Sequence, residues 1–101
     1  MKNRLDLQNS LMNILGSKYV YFQPPESIKL TYPCIVYKLD GIQMEYSDDR
    51  TYIKHRQYLV TVITKDPDTD LIDKMLELPM CSFDNFMAVD NLNHYNFTIF
   101  I

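Results

Sequence analysis

The stretch that most constrains this chain is Tyr52–Lys65. Along an extended backbone Tyr58, Val60 and Val62 point one way, and Leu59, Thr61 and Ile63 point the other. β-Branched and aromatic residues dominate it and no Gly or Pro interrupts it. It therefore reads as a long strand, apolar on both faces toward its C-terminal end. Such a strand belongs in the middle of a sheet or beneath helices, and the other segments are read as elements that pair with it or pack on it.

Ahead of it, Asn3 with Asp6 three residues on is an N-cap signal. Leu7, Leu11, Ile14 and Leu15 follow at helical spacing, flanked by Leu5 and Met12. Gly16 stands where a left-handed C-terminal cap is common, which predicts an amphipathic helix over Asn3–Leu15. Lys18–Phe22 reads as a short strand stopped by Pro24-Pro25. Residues Gln23–Tyr32 read as a loop tacked down by Ile28 and Leu30.

Cys34–Tyr46 reads as the next strand. Its apolar residues lie at odd positions (Ile35, Tyr37, Leu39) before Gly41 and at even positions (Ile42, Met44, Tyr46) after it. A change of parity at a glycine predicts a β-bulge near Asp40-Gly41. Ser47–Arg50 is polar and turn-forming, so this strand should fold back onto Thr51–Thr64 as a long hairpin that projects beyond the core.

Asp66-Pro67-Asp68 is expected to open a second helix, with Leu71, Ile72, Met75 and Leu76 as its buried stripe, an Asp70–Lys74 pair, and Pro79 as its stop. Strands over Cys81–Ala88 and Tyr95–Phe100, joined by a turn at Asp90-Asn91-Leu92-Asn93, complete the chain. The apolar Ile101 then needs cover from the subunit itself or from a neighbour. The fold class is α+β, one domain over residues 1–101. A mixed or antiparallel sheet of about five strands carries two helices, in the order α-β-β-β-α-β-β, with a long central β-hairpin.

Hydrophobic residues make up 47% of the chain and charged residues 23%, which excludes a disordered chain. Cys34 and Cys81 have no CxxC partner and no His at zinc-site spacing, so they read as two buried thiols of a reducing compartment. No membrane-length apolar run or signal-peptide pattern is present. The net charge of −3 is polarised. Residues 1–65 hold nine Lys/Arg against six Asp/Glu, and residues 66–101 hold one Lys against seven. The basic half is too dilute for a nucleic-acid footprint. The polarity suits head-to-tail association of like subunits, but from charge alone a well-solvated acidic surface is the better reading.

No catalytic set emerges. The serines lie in no nucleophile elbow, and Gly16 and Gly41 cannot form a phosphate-binding loop. Asp66, Asp68, Asp70 and Asp73 lack the glycine and distal Glu of a calcium loop and read as helix-dipole complements. Asp84, Asp90 and His94 could be drawn as an acid–base set, but an Asp90–His94 contact across a turn is the simpler reading. His55 reads as a surface residue. No catalytic residue, metal ligand or cofactor is therefore expected.

Three fragments carry a resemblance when taken together. They are Val20–Glu26 leading to Tyr32–Tyr37, Val62-Ile63 followed by Asp66-Pro67-Asp68, and Cys81–Asp84 followed by Asp90–His94. In this order they resemble the tail terminator, or tail completion, proteins of tailed bacteriophages and prophages, over about Leu11–Phe100. The chain departs from that pattern at Asn85-Phe86 and Phe100-Ile101.

The resemblance implies a structural subunit, not an enzyme, that assembles with itself into a ring, a hexamer, on the end of the tail tube. The ring stops tube growth and joins tail to head. The implied partners are further copies of the chain, the tail tube protein and a neck or head-closure protein. The implied setting is the host bacterial cytoplasm during assembly and the virion afterwards. Arg50, Lys54, Arg56 and Ile101 are the expected subunit or tube contacts. A head-closure protein of the same gene cluster, an adaptor with a soluble partner, and a small hydrolase or nuclease are the competing readings.

Overall fold

The computed structural model describes residues 2–101, and the side chains of residues 51–53 lie outside the described residues. Seven elements follow one another: α1 (Arg4–Leu15), β1 (Val20–Phe22), β2 (Cys34–Ser47), β3 (Arg50–Thr64), α2 (Leu71–Leu76), β4 (Cys81–Val89) and β5 (Leu92–Phe100). The strands form one sheet in the order β1-β2-β3-β5-β4. β1 pairs with β2 in parallel, and the other pairs are antiparallel. The α+β class and the element order expected from the sequence are both present, and β3, which carries Tyr58–Ile63, is the central strand.

Burial divides β3 by face. Tyr58, Val60 and Val62 are buried in one cluster with Leu7 and Leu11 of α1, Leu71 and Met75 of α2, Ile35 and Tyr37 of β2, and Phe97 and Ile99 of β5. Both helices therefore cover the same face of the sheet. On the other face Leu59 and Thr61 are only half-buried, and Ile63 is buried where it pairs with the equally buried Cys34.

A polar clamp fastens α1 to this layer. The Tyr37 hydroxyl donates to Gln8 Oε1 at 2.5 Å and accepts from Arg4 Nη1 at 3.1 Å, and Gln8 Nε2 donates to the Val20 carbonyl at 3.1 Å. The Arg4 guanidinium also lies 4.5 Å from the centre of the Phe22 ring, a cation–π distance. Burial pushes the Tyr37 phenol above its ordinary range, and Arg4 offsets part of that rise.

The first helix is capped as its sequence requires. Asn3 Oδ1 accepts from the Asp6 amide at 3.0 Å, and Gly16 closes the other end at φ 77° with its N–H on the Met12 carbonyl. Leu5, which flanks the buried stripe, is exposed. β1 is two residues shorter at its start than read. Ile28 does not tack the following loop, for it is exposed and only Leu30 is half-buried.

The second helix needs a larger correction. It does not open at Asp66 but at Leu71, and it runs six residues. The Asp66 carboxylate accepts from the Asp68 amide at 2.9 Å and Thr69 Oγ1 from the Leu71 amide at 3.2 Å, so the aspartates build a turn ahead of the helix. Asp70, at the cap position, makes no side-chain cap bond. It pairs with Lys74 at 3.4 Å as read, while Leu76, placed in the buried stripe, is exposed.

Both hairpins close through two residues at positive φ: Asp48 (52°) with Asp49 (61°), and Asp90 (52°) with Asn91 (63°). Paired positive φ values belong to the turn whose twist matches antiparallel strands, and Asp and Asn tolerate them. The second turn is thus tighter than read, and β5 starts at Leu92. The expected Asp90–His94 contact is not made, because His94 Nδ1 lies 3.3 Å from the Leu92 carbonyl instead.

Candidate subunit interface

The register shift of β2 lies between Leu39 and Gly41, where the parity change placed it. The extra residue is Asp40, whose carboxylate accepts from Gln57 Nε2 at 3.2 Å. A Cβ at Gly41 would come no nearer than 4.0 Å to Gln57 Oε1, so the bulge does not depend on the missing side chain. Its consequence is geometric. By inserting one residue it keeps Ile42, Met44 and Tyr46 on the same face as Ile35, Tyr37 and Leu39. The Tyr46 hydroxyl lies 3.6 Å from Met44 Sδ, which places those two side chains together.

The apolar row therefore runs unbroken along β2, but its cover does not. β5 ends its pairing with β3 at Gln57–Phe100, extended by two backbone bonds between Arg56 and Ile101 of 2.7 and 2.9 Å. β1 pairs with β2 only over Ile35–Tyr37. Beyond these points the β2–β3 hairpin continues as a two-stranded ribbon, about 20 Å long at roughly 3.3 Å per residue. It contributes to a molecule 50 Å long and 28 by 23 Å across. On the helix side of the ribbon Ile42, Met44 and Tyr46 are 55%, 40% and 64% exposed, and β3 sets Lys54 opposite Met44 and Arg56 opposite Ile42. Both cations are exposed, and no Asp or Glu shares that face.

Of the four residues expected at an interface, Lys54 and Arg56 thus lie together on the ribbon beside an uncovered apolar row. Arg50 sits at the tip, opposite Ser47. Ile101 lies beside the base of the row: its backbone is bonded to Arg56, it lines one small hollow with Ile42, Lys54 and Arg56, and its side chain is half-buried against the core. Sequence reading singled out the cations and missed the apolar row as a surface, although the parity change at Gly41 was the signal for it.

A second uncovered region lies at the far side of the sheet. β4 is an edge strand, and Phe83 and Phe86 are 45% and 51% exposed even though Phe83 touches Phe97 and Phe86 touches Tyr95, with ring centres 5.6 and 5.1 Å apart. Met80 just before the strand and Leu76 at the end of α2 are exposed as well. An edge strand of nine residues with one charge, Asp84, lacks the lysines and prolines that usually prevent further pairing. On the opposite face of this edge a polar ladder crosses the sheet. Thr61 Oγ1 donates to Asn96 Oδ1 and Asn96 Nδ2 to Asn85 Oδ1, both at 2.6 Å, and Thr98 Oγ1 donates to Asp84 Oδ2 at 2.5 Å.

The thiols do not form a reactive centre. Cys34 is fully buried and Cys81 half-buried, and burial pushes both up to about 11, with Asp84 adding to the rise at Cys81. A groove of about 470 Å³ runs between the end of α1 and the start of α2, lined by Tyr32, Thr64, Lys65, Asp66, Asp70 and Lys74 among others. Four of its polar side chains are engaged locally. Thr64 Oγ1 holds the Asp66 amide at 3.1 Å, Asp66 holds the Asp68 amide, and Asp70 holds Lys74. Among the described residues no group of three or more His, Cys, Asp or Glu is placed to hold a metal ion, and no helix is long and apolar enough to cross a membrane. Compared with known proteins, the chain matches no family model and no curated sequence.

Proposed function

We propose that this chain is a structural subunit of phage tail assembly, a tail terminator or completion protein that closes the end of the tail tube and joins it to the head. Two things support the reading. One is the joint order of the three sequence fragments that resemble that family. The other, which carries the proposal physically, is the ribbon: a two-stranded arm that displays Ile42, Met44 and Tyr46 beside Lys54 and Arg56. Burying an exposed apolar row of this kind is favourable at about 25 cal/mol per Å², and this subunit leaves it in water. A terminator needs such a row, because it must grip a growing polymer on one side and refuse another copy of it on the opposite side. In the groove between α1 and α2, Thr64 and Asp66 hold the local turn, and the reading assigns them no chemistry.

Electron microscopy of tails assembled with and without the protein tests the role. Overlong, headless tubes are expected in its absence, and tubes of normal length joined to heads would overturn it. Reversing Arg50 and Arg56 to Glu together is expected to abolish joining while the thermal melt stays in place, since both side chains are exposed.

A further inference from the structure

Two surface regions of this one chain are complementary in both chemistry and charge. The first is the helix-side row of the ribbon, Ile42, Met44 and Tyr46 with Lys54 and Arg56. The second is the corner where α2 meets β4. There Leu76, Met80, Phe83 and Phe86 are exposed, and Asp73 and Glu77 are exposed on the outward side of α2, three residues before and one after Leu76. The first region is apolar and purely cationic. The second is apolar and anionic, and the helix's own cation, Lys74, is already paired with Asp70. Both regions are exposed in the same molecule, so neither covers the other within one subunit.

We infer that the ribbon of one copy lays its apolar row on the α2–β4 corner of the next, with Lys54 and Arg56 facing Asp73 and Glu77. The two patches differ, so the contact is heterologous: every copy offers a ribbon and a corner, and a closed ring forms when the rotation between copies returns to its start. The occupant is a second copy and not an unrelated partner because the charges match within this chain. The ribbon as a whole is balanced, with Glu45, Asp48 and Asp49 against Arg50, Lys54 and Arg56, but its helix-side face presents Lys54 and Arg56, opposite in sign to the exposed Asp73 and Glu77 of α2. Aromatic and methionine side chains at the centre with charges around them is also the usual composition of a protein interface. The inference rests on the assembly role proposed above and adds the two surfaces that meet.

Charge exchange tests it with the full chain alone. One variant carries Lys54→Glu and Arg56→Glu, and the other carries Asp73→Lys and Glu77→Lys. In the first, ribbon and corner are both acidic, and in the second both are basic. A mixture restores opposite charges at every contact.

Sedimentation velocity up to about 1 mM, the weak end of specific association, is expected to show the wild type associating and each variant at least about tenfold weaker. The equimolar mixture should return to wild-type behaviour, and added salt should weaken wild type and mixture alike. Unchanged melting temperatures identify folded variants. Met44→Ser with Tyr46→Ser supplies a charge-neutral check, also expected to be at least about tenfold weaker. A monomeric wild type, variants that associate normally, or a mixture that stays dissociated would each overturn the contact. None of these outcomes bears on whether tubes overgrow without the protein, so the assembly role and this contact fail separately.

Discussion

The inner and outer halves of β2 are built from the same pattern and meet opposite fates. Ile35 and Tyr37 and, beyond the bulge, Ile42, Met44 and Tyr46 form one row on one face. The inner residues lie under α1 and opposite Val62 and Val60, and they are buried to within 1%. Leu39, just before the bulge, is already 41% exposed, and the outer ones, which have no helix above them and lie on the face of Arg56 and Lys54, are 40–64% exposed. Periodicity identifies which side chains share a face, and covering elements decide whether that face becomes core. An apolar row that outruns its cover is held by the strand ladder and not by burial, and that separates the energetics of the two halves.

The sharpest way to break the comparison is to empty the inner half. Phe97 is fully buried against the helices and in edge contact with Phe83. Phe97→Ala is expected to cost about 3–5 kcal/mol, a large part of the stability of a domain this size. A urea titration reads it directly, and a loss below about 1 kcal/mol would show that the inner layer is not the load-carrying core described.

The second effect uses pH. Cys34 is fully buried, on the face away from the helices, and burial raises its thiol from 9.0 to about 11. Between those values the native protein keeps a proton that the unfolded chain has released, so stability falls as pH rises. The contribution is fully present below about pH 9 and is lost by up to about 3 kcal/mol as pH climbs to about 11. Cys34→Ala should flatten this part of a denaturation profile relative to the wild type. Identical slopes would mean that the thiol titrates equally in both states.

Much of this arrangement was legible in the residues. Asn3 and Gly16 marked the ends of α1 because caps are local chemistry. The parity change at Gly41 marked the bulge because a strand shows its faces in its spacing. The start of α2 was not legible in the same way. Asp66-Pro67-Asp68 satisfies every helix-start preference, yet Asp66 and Thr69 bond nearby amides and hold a turn, a competition between two local solutions that composition does not rank. Exposure of Phe83 and Phe86 was equally hidden, since aromatic strand residues read as core and their spacing of three does not show that the register shift between Phe83 and Asn85 puts both on one face. What leaves them bare is the position of β4 at the sheet edge, a property of strand order. Of the candidate interface, the cations of the ribbon and the acidic excess of residues 66–101 could be read from the chain, and the exposure of Asp73 and Glu77 on α2 together with bare Leu76 could not.

The smallest expected effect is the most informative about the outer half. Met44→Ser removes an apolar side chain that is 40% exposed and has Lys54 across the ladder. Surface replacements of this kind usually change stability by within about 0.5 kcal/mol, whereas a buried Met→Ala change costs about 2–5. Met75 supplies the matched control, because it is the same residue type with no exposure, beneath the sheet in α2. If Met44→Ser in the isolated subunit costs as little as expected while Met75→Ala costs several kcal/mol, the ribbon contributes nothing to holding the monomer together. Its apolar row is then retained in spite of solvation and not for folding. If the two losses are equal, the outer half of β2 is part of the core after all, and the ribbon no longer stands as a surface waiting for another chain.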